Sequence, residues 1–262
     1  MILLFSLLFA CNTDKVQSFV PGTPESDDLL GEHDLSDGIY AMRQVSSSQM
    51  QSPIPGQDDW VSVQTFSHKR LDLQRNGTEI RFTEEICSVH ITEAFGTETI
   101  LPPDLITSVS GRTRSGYISD EQVGAQVIFY DILDLNGVIL DDPINDPMPS
   151  SASSDAIWDQ DADGNPGVTV WVDLGLLDME EIYVAQRIIT DLDGLIINPE
   201  RMEGYLQSEQ QQLTLGASRD FLAEEQNTRE DREESHSWFV IQRIDEQEDC
   251  DYIVNNQKAL FD

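Results

Sequence analysis

The chain has 262 residues, of which 49 are Asp or Glu and only 15 are Lys or Arg, so its formal net charge at pH 7 is −34. A surface with this charge repels nucleic-acid phosphates and anionic lipid head groups, which excludes nucleic-acid binding and favours cations or basic partners. Hydrophobic residues make up 39% of the chain, which is enough for one large domain core.

Residues 1–10 are mostly apolar. They are too few to span a bilayer, but they match the hydrophobic region of a signal peptide. They lead into Leu8-Phe9-Ala10-Cys11, which resembles the lipobox of bacterial lipoproteins, with leucine three residues before the cysteine and a small residue directly before it. The resemblance implies that 1–10 is a signal peptide and that a lipid on Cys11 anchors the protein in a membrane. Asn12 then favours the outer membrane of the cell envelope. From the residues alone, an ordinary cleaved leader or a buried first strand remains an alternative.

Cys11 and the segment after it, 11–36, are rich in Ser, Asp, Gly, Thr and Pro. This composition predicts a flexible tether between the lipid and a single β domain over 37–262. If Cys11 carries lipid, Cys87 and Cys250 remain, and an even number of cysteines in an oxidising compartment predicts a disulfide between them. Two separately buried thiols are the alternative.

The first elements of the domain are predicted as β-strands. Residues 38–45 alternate between apolar and polar positions, and 60–66 begin a second, longer β region. Asn76-Gly77 gives a strong hairpin signal, because both residues tolerate the positive φ angles of a type I′ turn. The return strand contains Cys87.

Residues 105–119 are polar and contain Arg112 and Arg114, two of the few basic residues. They predict a strand face in solvent, with contact to a ligand or an acidic loop as the alternative. Residues 123–135 predict another strand, and Asn136-Gly137 predicts a second hairpin. The loop that follows, 141–158, is rich in Asp, Pro and Ser, and loops of this length are often functional.

That loop leads into Asp159-Gln160-Asp161-Ala162-Asp163-Gly164-Asn165, in which three carboxylates alternate with other residues. Calcium takes six to eight oxygen ligands, and an EF-hand loop uses side chains at positions 1, 3 and 5, glycine at 6 and a carbonyl at 7. The spacing matches all five positions. Bringing carboxylates together without a cation costs of order 1 kcal/mol per pair even in water, so the pattern indicates a metal.

The match to an EF-hand then stops, because position 12 is Val170 and no helical pattern flanks the loop. The motif instead resembles the D-x-D-x-D-G calcium loops of thrombospondin type-3 and dockerin-like repeats, which usually carry further acidic ligands. The predicted calcium ligands are Asp159, Asp161, Asp163 and Asn165, with Asp155 and Asp173 as additional candidates. An acidic surface turn is the alternative.

The remainder of the chain also reads mainly as β-structure. Strands are predicted at 168–174, 182–188, 203–206, 211–215, 238–244 and 252–254, and Asp191-Leu192-Asp193-Gly194 predicts a turn. The charged run 219–234 predicts a short surface helix.

Many strands, hairpin signals and a single predicted helix indicate an all-β domain. The two candidate architectures are an antiparallel β-barrel of lipocalin-like type and a β-sandwich, each with one short surface helix. The barrel is preferred because closure removes exposed strand edges. In addition, Gly38 and Tyr40 resemble the Gly-x-Trp that opens lipocalins.

No sequence motif points to catalysis. The histidines His33, His68, His90 and His236 lack metal-binding spacing, and Glu84-Glu85 would point to opposite faces of a strand. We therefore expect a cell-envelope lipoprotein whose calcium-braced β domain has a structural or interaction role, with an unidentified protein partner. The alternative is a lipocalin-like carrier of an apolar small molecule. A His–carboxylate site in a pocket would instead favour an enzyme.

Overall fold

A computed structural model describes residues 15–24, 35–52, 58–120, 122–175, 179–224 and 227–262. Within these ranges the chain forms eleven strands: β1 Gly38–Gln51, β2 Trp60–Asn76, β3 Glu79–Ile91, β4 Glu98–Ile100, β5 Thr113–Ile118, β6 Gln126–Asn136, β7 Val168–Asp173, β8 Glu180–Asn198, β9 Arg201–Ala217, β10 Thr228–Glu230 and β11 Trp238–Arg243. Three short α-helices accompany them: α1 Pro103–Val109, α2 Cys250–Asn255 and α3 Gln257–Phe261.

Eight of the strands close into a ring. Around the ring, β1, β2, β3, β5, β6, β8, β9 and β11 each pair with the next, and β11 returns to β1. Every pairing is antiparallel. Outside the ring, β7 lies beside the start of β8 and carries β4, and β10 pairs with the end of β1. The predicted antiparallel all-β class is confirmed.

An apolar core fills one end of the ring. Successive side chains of a strand point to opposite faces, so every second residue of a ring strand faces inward. Further along β1, the inward positions Gln44 and Ser46 are polar and half-buried, so the apolar core stops there. Burial of each large core side chain stabilises the fold by roughly 1.5–3 kcal/mol. The aromatic and methionine members of this core that are at most 2% exposed are Tyr40, Met42, Phe82, Phe129, Phe239 and Met202.

A second apolar cluster covers the outer face of β1 and β11. Ala41 and Val240 point outward and pack against Ile253 of α2 and against Leu260 and Phe261 of α3. Strand β1 is therefore buried on both faces, by the core inside the ring and by the C-terminal helices outside it. No described helix has the length and apolar character needed to cross a membrane.

The two predicted hairpin turns have different outcomes. Asn76-Gly77 does lie at the hairpin between β2 and β3, but the turn is not of type I′. Asn76 pairs with Glu79, so the central residues are Gly77 and Thr78, and only Gly77 has a positive φ, +63°, as in a type II′ turn. The prediction at Asn136-Gly137 is wrong, because β6 is followed by the long connection 137–167. Gly137 has φ +66°, and a Cβ there would lie 2.6 Å from the Cα of Gly167, so this glycine permits close contact between the two ends of that connection.

Four other predictions need correction. The turn expected at 191–194 lies inside β8, where Leu192 is buried in the core, and the two strands expected at 203–206 and 211–215 are one strand, β9. The described part of 219–234 does not form the expected helix: 3₁₀ turns at Asp220–Leu222 and Glu234–His236 flank β10. That run lacks an apolar stripe to bury, and its central residues pair with the end of β1 instead. The strand expected at 252–254 belongs to α2.

Candidate metal centre

The acidic loop lies in the 137–167 connection, and backbone contacts fix both of its ends. The N–H of Gln160 donates to the carbonyl of Gly167 at 3.0 Å, and the N–H of Gly167 donates to the carbonyl of Trp158 at 3.1 Å. The side chain of Gln160 accepts from Gly137 N–H at 2.8 Å and donates to Ser108 Oγ at 3.2 Å. The loop is therefore tied to the end of β6 and to α1.

The three carboxylates of the loop converge. One oxygen from each of Asp159, Asp161 and Asp163 lies within 4.8 Å of the others, so this group could hold a metal ion. The loop itself holds Asp159 in place, because its two oxygens accept from the N–H groups of Asp163 at 3.2 Å and Gly164 at 2.9 Å. The predicted clustering of these three residues is confirmed.

Thr169, the second residue of β7, connects the loop to the sheet. Its N–H donates to Asp161 Oδ2 at 2.8 Å, and its hydroxyl donates to Asp163. The side-chain amide of Asn165 also donates to Asp163, at 3.1 Å. These contacts use one oxygen of Asp161 and leave the other, Oδ1, buried without a hydrogen-bond partner.

The carboxylates differ in their electrostatic environments. Partial burial raises the pKa of Asp161, and the negative charges of Asp163 and Asp159 act in the same direction. Burial also acts to raise the pKa of Asp163, but hydrogen bonds from Thr169 and Asn165 outweigh it and lower the pKa overall. Asp161 is also the carboxylate with the fewest hydrogen-bond donors, because it accepts from Thr169 N–H alone, whereas Asp159 and Asp163 each accept from more than one group.

The two additional acidic candidates are not part of this group. Asp155 and Asp173 lie outside the set of converging carboxylates, and Asp173 accepts from Gly175 N–H at 2.7 Å. The side-chain amide of Asn165 donates to the Asp163 carboxylate, and the backbone N–H of Asn165 donates to the same carboxylate at 2.8 Å. The structure thus assembles the first three predicted ligands and leaves the additional acidic candidates elsewhere.

Cys87 of β3 and Cys250 of α2 form the predicted disulfide, with Sγ atoms 2.01 Å apart. The bridge links two residues separated by 163 positions and attaches the C-terminal helices to the ring. Disulfides persist in oxidising compartments and are rare in the cytosol of mesophiles.

The predicted signal peptide 1–10 and Cys11 lie outside the described residues, so the lipid anchor stays a prediction. Within the predicted tether, residues 15–24 contact the domain. The side-chain amide of Gln64 accepts from Gln17 N–H at 2.7 Å and donates to its carbonyl at 2.8 Å, and the ring of Phe19 stacks on Trp238 at 4.5 Å. Phe19 is the one residue of Phe, Tyr or Trp type in the polar segment, and together with Gln17 it attaches the segment to the ring.

Arg114 is buried rather than solvated, so the prediction of an exposed strand face at 105–119 is wrong at this residue. Arg114 donates to Glu84 at 2.7 Å and to Asp134, and Glu84 also accepts from Lys69 at 2.8 Å. Burial acts to raise the pKa of Glu84, but the charges of Lys69 and Arg114 outweigh it and lower the pKa overall. The expectation that Glu84 and Glu85 face opposite sides is confirmed, since only Glu85 is exposed.

Among the described residues, one histidine forms an ion pair with a carboxylate, His236 with Asp231. Asp231 accepts from His236 Nδ1 at 2.9 Å and from Ser47 Oγ at 2.8 Å. Burial acts to raise the pKa of Asp231, but hydrogen bonds from His236, Ser62 and Ser47 lower it to about 2. A catalytic triad needs a nucleophile at the second imidazole nitrogen, and no described residue hydrogen-bonds to His236 Nε2. The contacts of this pair are those of a structural link between a 3₁₀ turn and β1.

Comparisons of the chain with protein-family models, with curated proteins and with solved structures give no significant match. No relative's activity therefore bears on this chain. Its function has to be inferred from its own carboxylates, disulfide and charged side chains.

Proposed function

We propose that this chain is a calcium-stabilised β protein of the cell envelope with a structural or interaction role and no catalytic activity. The observation that carries the proposal is the convergence of Asp159, Asp161 and Asp163, with Asp161 Oδ1 buried and without a partner. An unpaired, buried carboxylate oxygen is costly unless a cation or donor satisfies it. A bound cation would remove this cost.

Calcium is the cation that suits these ligands best. It is a hard ion that prefers carboxylate, carbonyl and water oxygens in a flexible arrangement, whereas Mg²⁺ requires a near-ideal octahedron. The cluster contains no histidine or cysteine, which zinc and copper favour. The D-x-D-x-D-G spacing supports the same assignment. Asp159, Asp161 and Asp163 would supply carboxylate oxygens, and carbonyl groups and water would complete the coordination.

Calcium at this position would brace the connection between β6 and β7. The loop already contacts the end of β6 through Gly137, α1 through Ser108 and β7 through Thr169. Neutralising the three carboxylates would stabilise all of these contacts at once. We therefore assign the ion a structural role, in which it keeps the long connection folded against the outside of the ring.

Two features support an envelope location. Residues 8–11 carry the lipobox-like sequence with Cys11, and the Cys87–Cys250 bridge fits an oxidising compartment. We propose that lipid on Cys11 holds the domain at the outer membrane. The acidic surface then favours cations and basic protein partners.

We do not propose the carrier of apolar molecules. The apolar side chains that point into the ring pack against one another, as the 5.0 Å separation of the Phe82 and Phe129 rings illustrates. The inward positions beyond this core, among them Gln44 and Glu84, are polar or charged. An apolar ligand would find no matching surface there.

Thermal unfolding of residues 12–262 in millimolar calcium and in chelator tests the metal site. Calcium at 100 times its dissociation constant adds roughly 2.7 kcal/mol to the free energy of unfolding. For a chain of this size the melting temperature should rise by about 5–11 °C. Magnesium at the same concentration should give a much smaller rise.

Two variants make this test specific. Asp161→Ala combined with Asp163→Ala should abolish the calcium-dependent rise, whereas Asp155→Asn, in the same connection but outside the cluster, should retain it. A calcium response that survives the double substitution would refute the site. Independently, Cys11→Ala should release the protein from the membrane fraction, and continued membrane association would refute the lipid anchor.

A further inference from the structure

A second site lies on the outer face of the ring, away from the acidic loop. There a cavity of ≈ 600 Å³ opens between α3, β2, β3 and the N-terminal segment 15–24. No residue of the acidic loop lines it. Its walls include Lys15, Arg43, Phe66 and His68, together with His90 and Asp262. The volume lies within the range of small-molecule sites.

The charge of this cavity is opposite to that of the chain. Acidic residues outnumber basic ones 49 to 15 overall, yet the charged side chains that line the cavity are those of Lys15 and Arg43 against the single side-chain carboxylate of Asp262. A local excess of positive charge in so acidic a chain attracts anions to this position.

Arg43 is held rigidly in the wall. It is 8% exposed; its Nε donates to His68 Nε2 at 3.1 Å, and one Nη donates to Asp262 at 3.0 Å. Its guanidinium lies 4.8 Å from the ring centre of Phe261. These contacts hold the Arg43 guanidinium as a fixed positive charge in the wall, beside the Asp262 carboxylate.

Lys15 supplies the free donors. Its ammonium makes no hydrogen bond or ion pair with any described residue. The contacts of Gln17 with Gln64 and of Phe19 with Trp238 hold the segment that carries it against the ring. A lysine ammonium has three N–H donors and no acceptor. Lys15 is thus a cation without an ion-pair partner among the described residues, and it lines the same cavity as Arg43.

We propose that this cavity binds a small organic oxyanion, with its charged group between Lys15 and Arg43 and its apolar body against Phe66. The charged group is a carboxylate or a phosphate ester, since both present the oxygen acceptors that an ammonium group needs. The volume is several times that of the charged group alone, so an organic body fills the remainder. This site is independent of the proposed calcium site.

His68 provides a reporter for the occupant. Its Nε2 accepts from Arg43, so its Nδ1 carries the proton that is shared with Ser88 Oγ at 3.1 Å. Burial and the positive charges of Arg43 and His90 lower the pKa of His68 to about 4. A bound anion acts in the opposite direction, so occupancy should shift the imidazole resonances of His68 and raise this pKa.

The test is a titration of the purified protein at pH 7 with benzoate, phenyl phosphate and neutral benzamide, followed through the imidazole NMR signals. We expect saturable shifts of His68 and His90 with benzoate or phenyl phosphate, and binding of benzamide that is weaker by at least about ten-fold, the usual value of a charge-assisted contact. The tighter of the two anions identifies the charged group. No saturable shift with either anion, or equal binding of benzamide, would overturn the proposal.

Two lysine variants separate the cavity from general surface charge. Lys15→Ala removes the free ammonium from the cavity, while Lys258→Ala removes an exposed one from α3, the helix that also forms a wall of the cavity. The first should weaken anion binding by about ten-fold, and the second should leave it within two-fold. Equal weakening in both variants would show that the anion responds only to overall charge, and the site would be rejected.

Discussion

Removal of the Cys87–Cys250 disulfide should cause a large loss of stability that arises mainly from the unfolded state. The perturbation is Cys87→Ser combined with Cys250→Ser. The bridge joins residues 163 positions apart, and cross-linking restricts the unfolded chain more as this separation grows. The chain-entropy relation gives a loss of about 5 kcal/mol for a loop of this length.

The folded state should survive the substitution. Helices α2 and α3 also bury Ile253, Leu260 and Phe261 against the outer faces of β1 and β11. Burial of three such side chains contributes roughly 4–9 kcal/mol, at about 1.5–3 kcal/mol each. The C-terminal helices should therefore stay on the ring without the bridge, although more weakly held.

Urea unfolding followed by tryptophan fluorescence measures the effect, because Trp238 belongs to the cluster that these helices cover. Thermal unfolding of the same two proteins should give a melting temperature that is lower by about 10–20 °C in the variant, at about 2–4 °C per kcal/mol. Wild-type protein reduced with dithiothreitol should behave like the double variant. A loss below about 1 kcal/mol would refute the reasoning, since it would mean that the bridge restricts the unfolded chain very little.

Two further changes probe charged groups inside the fold. His68 is 4% exposed and has a folded pKa of about 4 against an ordinary value of 6.5. Between these two pH values the unfolded chain binds a proton that the folded chain does not, so the stability of the fold is complete above pH 6.5 and falls as the pH drops toward 4. Urea unfolding should show about 2 kcal/mol of this loss between pH 7 and pH 4.5, and His68→Gln should remove it; an identical pH dependence in the variant would contradict the assignment. Glu84→Ala leaves Lys69 and Arg114 buried without this carboxylate and should cost about 3–5 kcal/mol by thermal unfolding. The exposed Glu85→Ala should change stability by less than about 0.5 kcal/mol, and equal losses in the two variants would rule out the buried pairing.

The sequence predicted the elements whose formation depends on local pattern. The strand beginning at Gly38 and the Asn76-Gly77 turn follow from side-chain alternation and from glycine's access to positive φ, both of which act over a few residues. Asn136-Gly137 carried the same local signal and failed. Gly137 is needed there for close contact with Gly167, far along the chain. The residues next to each glycine do not distinguish a hairpin turn from such a long-range contact.

The C-terminal helices were missed for a related reason. Tyr252-Ile253-Val254 reads as a strand because aromatic and β-branched residues favour β-structure. Asp249 overrides this preference: its carboxylate accepts from Tyr252 N–H at 3.0 Å and begins α2. An Asp placed before the apolar residues was a visible helix-start signal, and the disulfide at Cys250 then attaches that helix to β3.

The two candidate sites also differ in how far they could be predicted from the local sequence. The carboxylates at 159, 161 and 163 are close in sequence, so their convergence could be predicted from spacing alone. The cavity beside α3 could not, because Lys15, Arg43, His68 and Asp262 come from four separate parts of the chain. The ring closure brings β1 beside both β2 and β11, and the C-terminal helices then complete the wall.

Because basic residues are few, the position of each one strongly affects how charge is distributed in the fold. Arg43, Arg114 and Arg187 are each at most 9% exposed, and Arg187 donates to the backbone carbonyls of Pro143 and Asp146 in the long β6–β7 connection. The described part of the fold also buries four acidic side chains, Glu84, Glu180, Glu203 and Asp231, so the surface keeps the acidic excess of the composition. A cation at Asp161 and an anion beside Lys15 would each bind where the described residues leave a charged group without a partner.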